Sequence, residues 1–311
     1  MAGVAAAVGL ILFFLGMWIM TGAFRPDQAQ LHLHLTQHNW WRGALVGTVL
    51  TAISQSSSAV TVLLVAAVSS GQMSLFSAFG MLLGANIGTT ATAWLVQLGQ
   101  LPGAVGWLLP ALLCLLLAWQ TRNMRIACGL AVLLLGMHTM TTGAQALMHG
   151  QNMEVLQRAL QSPWHGWFWG AGVTAVLQSS SVTVGMLQAL AGTGGISMAQ
   201  AAPVVAGNNL GTCVTALLAA IAATKSGRQL AGLHLLFNLW AAGLLAALWQ
   251  FGVGQWLAEF QATSIRIALF HTLFNLFPAL LLLAGQSIVA FFRTGQYDRG
   301  NFHSRQKENA I

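Results

Sequence analysis

Charge is missing from most of this chain. No Asp, Glu, Lys or Arg occurs between Arg42 and Arg122, between Arg158 and Lys225, or between Arg266 and Arg293. A transmembrane helix needs about 20 apolar residues, so each charge-free interval has room for one or more spans. The chain of 311 residues is 56% hydrophobic and 5% charged, against about 25% charged in an average soluble domain, and its mean hydropathy is +0.71. These features predict an all-α polytopic membrane protein with the lipid bilayer as its main surroundings. The first segment, residues 1–24, lacks the basic start and cleavage site of a signal peptide and reads as a retained span. Cys114, Cys128 and Cys213 lie in or beside apolar runs, which argues against a disulfide framework. The net charge of +7 does not point to nucleic acid. Arg293, Arg299, Arg305 and Lys307 follow the last apolar run and fit a basic cytoplasmic tail over 293–311.

The chain is written twice. Sliding it by 123 residues lays "TAISQSSS" at 51–58 on "TAVLQSSS" at 174–181, and "GANIGTTAT" at 84–92 on "GNNLGTCVT" at 207–215, without a gap. Gly71 falls on Gly194 and Ser74 on Ser197. Upstream, "LGMWIM" at 15–20 matches "LGMHTM" at 135–140. The first unit is therefore read as 1–120 and the second as 121–228, followed by two spans within 229–292. Repeats of this length precede any other reading of a fold. Each unit begins with an apolar span and a short polar stretch ending in tryptophans, which suit a membrane–water interface. His32, His34 and His38 lie on the first such stretch, where their spacing reads as a wet helix face rather than a metal site.

Basic residues favour the cytoplasmic side. With the tail inside, Lys225 and Arg228 are also inside, while the loop at 97–103 is outside. These two loops are repeat partners, so the copies face opposite ways, as in many secondary transporters. An odd number of crossings must then connect Arg42 to the loop at 97–103, although two long apolar stretches lie between them. The polar centre Gln55–Ser58 divides the first stretch into two pieces, each near half a bilayer in length. The expectation is a re-entrant helical hairpin over 43–69, then a transmembrane helix over 73–98 broken at "GANIGTT". The second copy repeats this as a hairpin over 166–192 and a broken helix over 197–223.

Non-helical backbone at membrane depth survives only inside protein or beside a wet cavity. Helix starts offer N–H groups to anions, and helix ends offer carbonyls to cations. Neither polar core contains a charged residue. That argues against a carboxylate proton relay and against a divalent-metal site, which ordinarily uses carboxylates. Hydroxyls, amides and helix ends suit an oxyanion held together with a monovalent cation.

The doubled QSSS, each followed at one fixed offset by a G-x-N-x-G-T segment, resembles the type II sodium-dependent phosphate cotransporters. The resemblance covers about residues 10–292 and is to a short bacterial form without a C-terminal regulatory domain. "HLLFN" at 234–238 and "HTLFN" at 271–275 resemble further elements of that family. The resemblance implies sodium-coupled symport of inorganic phosphate across the bacterial inner membrane by alternating access. It implies no cofactor, sodium being the coupling ion and sole metal, and it is compatible with a homodimer. It places phosphate on Gln55, Ser56, Ser57, Ser58, Gln178, Ser179, Ser180 and Ser181. It places sodium on Thr51, Gln55, Asn86, Thr89, Thr90, Thr174, Gln178, Asn208, Asn209 and Thr212, with His234, Asn238, His271 and Asn275 in support. The acidic membrane residue of electrogenic animal relatives is missing, which leaves the sodium number open.

Two alternatives stand beside this reading. One is phosphate export or exchange by the same core. The other is an intramembrane hydrolase using a QSSS serine with His271 as base. A serine nucleophile needs a base within hydrogen-bond reach, and duplicated serines without a duplicated base fit poorly.

Overall fold

The computed structural model describes residues 2–21, 40–99, 121–147, 151–260 and 262–308. The span expected over 105–120 and the stretch containing His32, His34 and His38 lie outside them. The first copy comprises α1 (Ala2–Thr21), α2 (Trp40–Ser54), α3 (Ser57–Ser69) and α4 (Leu75–Gly99). The second comprises α5 (Thr121–Leu147), the short amphipathic α6 (Gln151–Ala159), α7 (Pro163–Leu177), α8 (Ser180–Ala191), α9 (Met198–Ile221) and α10 (Lys225–Leu248). A kinked segment (Trp249–Val253), in which Gly252 has φ of 103°, α11 (Gly254–Ala258) and α12 (Thr263–Glu308) complete the described residues. The helix α12 runs through the basic stretch that the sequence reads as a tail. Four stretches among the described residues are long and apolar enough to cross a membrane: Leu75–Gln97, Met198–Ile221, Lys225–Ala258 and Thr263–Gln286. The protein is an all-α polytopic membrane protein.

Small residues set how the helices meet. In α1 and α5, a side chain at Gly9, Gly16, Gly136 or Gly143 would collide with backbone of the other helix near Met140, Leu133, Phe13 and Ala6 respectively. Position numbers fall on one helix as they rise on the other, so these repeat-equivalent helices run antiparallel. Glycine admits such close approach, and in lipid it is packing rather than solvent exclusion that holds helices together.

The pairs α2–α4 and α7–α9 are packed in the other sense. Trp40 lies against Gly80, Ala44 against Gly84, and Thr48 and Thr51 against Gly88. Likewise Trp167 lies against Gly207, and Ala171 and Thr174 against Gly211. Numbers rise together on both members, so each pair is parallel. Parallel neighbours joined through a third helix require the chain to come back. With 15 residues in α2 and 13 in α3, a rise of 1.5 Å per residue gives about 22 Å out and 20 Å back. The direction therefore reverses at Gln55–Ser56, and by the same geometry at Gln178–Ser179. The turn after each returning helix also repeats: Gly71 and Gly194 have φ of 75° and 74°, which glycine adopts without a Cβ penalty. Ser74 and Ser197 then cap α4 and α9 by accepting from Ser77 N at 3.1 Å and Gln200 N at 3.4 Å.

The expected break at "GANIGTT", and its counterpart at "GNNLGTC", is corrected by the structure. Both α4 and α9 are continuous helices through these residues. Gly84 and Gly207 are there for contact and not for bending. The backbone carbonyls of Ala44 and Trp167 occupy the space that a side chain would need. The chain instead interrupts its helices at the two reversals, Gln55–Ser56 and Gln178–Ser179.

The core forms in two symmetric halves. One packs α3 and α4 against Leu230 and Phe237 of α10. The other packs α8 and α9 against Ile267, Phe270 and Phe274 of α12. Among these six helices, exchanging α3 with α8, α4 with α9, and α10 with α12 reproduces the same set of neighbours.

Candidate functional site

Each reversal has the same backbone. Gln55 and Gln178 adopt φ of 53° and 50°, left-handed values uncommon for any residue but glycine. Strained conformations of this kind concentrate at ligand and switch sites. Gln55 ends α2 and Gln178 ends α7, and each is followed by a serine that starts the next helix. Ser56 Oγ accepts from Ala59 N at 3.2 Å, and Ser179 Oγ accepts from Val182 N at 3.3 Å. Four helix termini thus occur at the reversals, two presenting carbonyls and two presenting N–H groups.

The tips adjoin one another. Ser58 Oγ donates to the Gln178 carbonyl at 3.3 Å, and Thr215 Oγ1 donates to Ser58 Oγ at 3.4 Å. On the related side, Thr92 Oγ1 donates to Gln55 Oε1 and lies 2.9 Å from Ser181 Oγ. Since the single Thr92 proton is spent on Gln55, Ser181 is the donor in the second bond. The three serines of each motif therefore divide their work. The first caps a helix and the third pins one copy to the other. The middle ones, Ser57 and Ser180, are buried at the first turn of α3 and α8, and their hydroxyls carry no hydrogen bond among the described residues.

Thr92 and Thr215 are absent from the residues expected at the site. They share one column of the duplicated segment, at the end of "GANIGTTAT" and "GNNLGTCVT". Their shared position three residues beyond the duplicated Gly-Thr is the signal the sequence offers for them. Thr92→Val keeps the shape and removes the hydroxyl, leaving two buried partners unsatisfied. We expect a loss of about 1–3 kcal/mol, read as a lower unfolding midpoint in detergent. Thr139→Val, at an exposed hydroxyl bonded to its own helix at Leu135, should leave the midpoint unchanged.

The remaining candidates fall into three groups. Thr174 Oγ1 lies 2.6 Å from Asn208 Oδ1 and 2.8 Å from Thr183 Oγ1. The repeat counterparts of Asn208 and Thr183 are Ala85 and Val60, and Thr51 Oγ1 is buried without a hydrogen-bond partner among the described residues. The Thr89, Thr90 and Thr212 hydroxyls donate back to their own helices, at Ala85 O (3.0 Å), Ile87 O (2.8 Å) and Asn209 O (2.6 Å).

The third group is a cluster where α4, α9 and α10 meet. His234 Nε2 donates to Asn86 Oδ1 at 3.2 Å, which fixes its tautomer. Asn86 Nδ2 reaches Asn238 Oδ1 at 3.5 Å, and Asn238 Nδ2 donates to the His234 carbonyl at 3.0 Å and Cys213 Sγ at 3.4 Å. Its counterpart is Asn209, Thr90, His271 and Asn275. There Asn209 Nδ2 donates to Val205 O and Asn275 Nδ2 to His271 O, each at 3.0 Å. Both His271 ring nitrogens and Asn275 Oδ1 are buried without a hydrogen-bond partner among the described residues. An unsatisfied buried polar atom costs about 1–3 kcal/mol. His271 is thus in hydrogen-bond reach of no QSSS hydroxyl, so the base required by the hydrolase alternative is not in place.

Among the described residues, no group of three or more His, Cys, Asp or Glu is placed to hold a metal ion. The donors that do gather are neutral hydroxyls, carboxamides and helix ends.

The Na+/Pi-cotransporter family profile matches the chain twice, over residues 12–142 and again over 132–260. The chain belongs to the Na+/Pi-cotransporter family. That double match coincides with the two copies seen in sequence and structure. Among relatives of this chain, the uncharacterized protein YqeW of Bacillus subtilis is 32% identical over 287 residues, covering 88% of this chain and 92% of its own length. The human sodium-dependent phosphate transport protein 2C is 35% identical over 146 residues, covering 42% of this chain and 22% of its own length. Human sodium-dependent phosphate transport protein 2B is 45% identical over 74 residues, covering 22% of this chain and 11% of its own length. The animal proteins are thus several times longer than the segment they share with this chain. No solved structure matches the chain.

Proposed function

We propose that the protein couples inward movement of sodium to uptake of inorganic phosphate. The α2–α3 and α7–α8 units act as re-entrant hairpins whose tips meet near the bilayer midplane, and the C-terminus faces the cytoplasm of a bacterial inner membrane. One observation carries this reading: two uncharged tips from oppositely directed copies are joined through Ser58–Gln178 and Thr92–Ser181. Phosphate takes the N–H groups that open α3 and α8 together with the Ser57 and Ser180 hydroxyls, because helix starts favour anions. Sodium takes carbonyls at the ends of α2 and α7 with nearby oxygens such as Thr51 Oγ1 and Asn209 Oδ1, because helix ends favour cations. Bound together, the ions offset each other's charge where the dielectric is low.

Energetics bound the coupling. Each sodium entering across 100 mV yields about 2.3 kcal/mol, and inward movement of divalent phosphate costs about 4.6 kcal/mol. A tenfold sodium gradient adds only about 1.4 kcal/mol per ion. One sodium cannot drive uptake under these conditions. Two give an electroneutral cycle driven by the chemical gradient, and three give an electrogenic one.

Purified protein in liposomes with an inward sodium gradient should accumulate labelled phosphate, and potassium should not replace sodium. Equal phosphate entry in the two salts would sink the symport reading.

A further inference from the structure

The two histidine–asparagine clusters are built alike and bonded differently. Asn86 and Asn209 are repeat partners, as are Thr90 and Cys213. His234–Asn238 on α10 and His271–Asn275 on α12 share the pattern His-x-Leu-Phe-Asn, and α10 and α12 hold exchanged places against α4 and α9. All four of these histidine and asparagine side chains are buried, with His271 and Asn275 at 0% exposure. Yet only one cluster is closed. His234 and Asn238 engage both ends of the Asn86 carboxamide. Across the pseudo-symmetry, Asn209 instead bonds within its own helix, and His271 and the Asn275 oxygen engage nothing among the described residues.

We propose that His234 and His271 are positioning residues that hold Asn86 and Asn209 in alternation, one cluster closing as the other opens. The same His–Asn–Asn trio in two unequal states is what a two-state element with interchangeable halves presents when caught in one of them. In the state described here, the Asn86 oxygen is committed to His234, while the Asn209 oxygen is left available to a cation. In the opposite state, Asn209 turns to His271 and Asn275, and Asn86 is released. The ligand oxygens of the two copies are thereby exposed in turn. This inference rests on the transport reading above, because it assigns the two states to access from opposite sides.

The test uses the full chain with Cys114 and Cys128 replaced by serine, Cys213 kept because it is buried and belongs to the His234 cluster, and one added cysteine at Ala59, an exposed position beside the first tip. Labelling by a membrane-impermeant maleimide is measured from each face in right-side-out and inverted vesicles. Removing a latch destabilises the state in which it is closed, so His234→Phe and His271→Phe should move the ratio of labelling from the two faces in opposite directions. Loss of one hydrogen bond shifts such a ratio by about tenfold. His234→Gln and His271→Gln, whose side-chain amide can donate in place of the imidazole, should recover much of the shift. Asn86→Ala and Asn209→Ala give the same contrast where a phenylalanine variant does not fold. Shifts in the same direction, or unchanged ratios in folded variants, would overturn the proposal. Phosphate uptake is followed in the same vesicles. Opposed labelling shifts without sodium-dependent uptake would sink the transport reading and leave the latches standing, whereas uptake with unshifted ratios would sink the latches alone.

Discussion

Alanine at both Ser57 and Ser180 is expected to remove saturable phosphate uptake at concentrations that saturate the native protein, without loss of folded protein. The reason is the division of labour within each motif. Ser56 and Ser179 hold helix starts, and Ser58 and Ser181 hold the copies together. Ser57 and Ser180 make no such bond, so truncating them breaks nothing in the ligand-free protein. A hydrogen bond to a charged group contributes about 1.5–3 kcal/mol. Each single variant should therefore raise KM for phosphate by roughly 10- to 150-fold, and the double variant by the product if the two act independently. By contrast, Ser58→Ala and Ser181→Ala should lower stability as well as transport. A double variant with KM within about twofold of the native value would show that these hydroxyls only fill space. Measurements of initial rate against phosphate at fixed sodium, beside thermal unfolding of each variant, separate the two outcomes.

Alanine at Gly84 or Gly207 is expected to prevent assembly of the corresponding half of the molecule. A single methyl group at either position meets a backbone carbonyl, Ala44 O or Trp167 O. A side chain in the way could rotate aside, but a carbonyl can yield only if a whole helix moves. Overpacking ordinarily costs about 1–3 kcal/mol, and displacing α2 from α4 along its length belongs at or beyond the upper end. These changes should abolish the monodisperse folded peak in detergent, or lower the unfolding midpoint more than any hydroxyl deletion. Alanine at Gly172 or Gly232 serves as control, since nothing lies within 4 Å of a methyl group there, and the gain in helix propensity is small and favourable. Native-like stability of Gly84→Ala would mean that the two helices are not clamped at this point.

The same glycines show why part of the sequence reading needed correction. Glycine in an apolar helix has two meanings: it lets backbone bend, and it lets another helix approach. "GANIGTT" carries no local feature that separates them. The deciding object is α2, a helix some forty positions earlier in the chain that lies on the glycine face. Gln55 and Gln178 show the converse. Each sits at the polar centre of its apolar stretch, so a tip there was legible, but a left-handed glutamine in place of glycine was not. The pinning threonines were half legible, since Thr92 and Thr215 recur in register. Their reach to the opposite tip belongs to the fold.

The sequence by itself determined the membrane class, the two copies with their 123-residue offset, and the uncharged polar centres. It could do so because a bilayer demands long apolar helices and because duplication leaves identical residues at identical spacing. Only the tertiary structure decided that the long helices run unbroken, that the middle serines alone are uncommitted, and that the His234 cluster is closed while the His271 cluster is open. These depend on which of several chemically equivalent partners lies within hydrogen-bond or van der Waals reach. Such distances are set by helices far apart in the chain, and no local pattern encodes them.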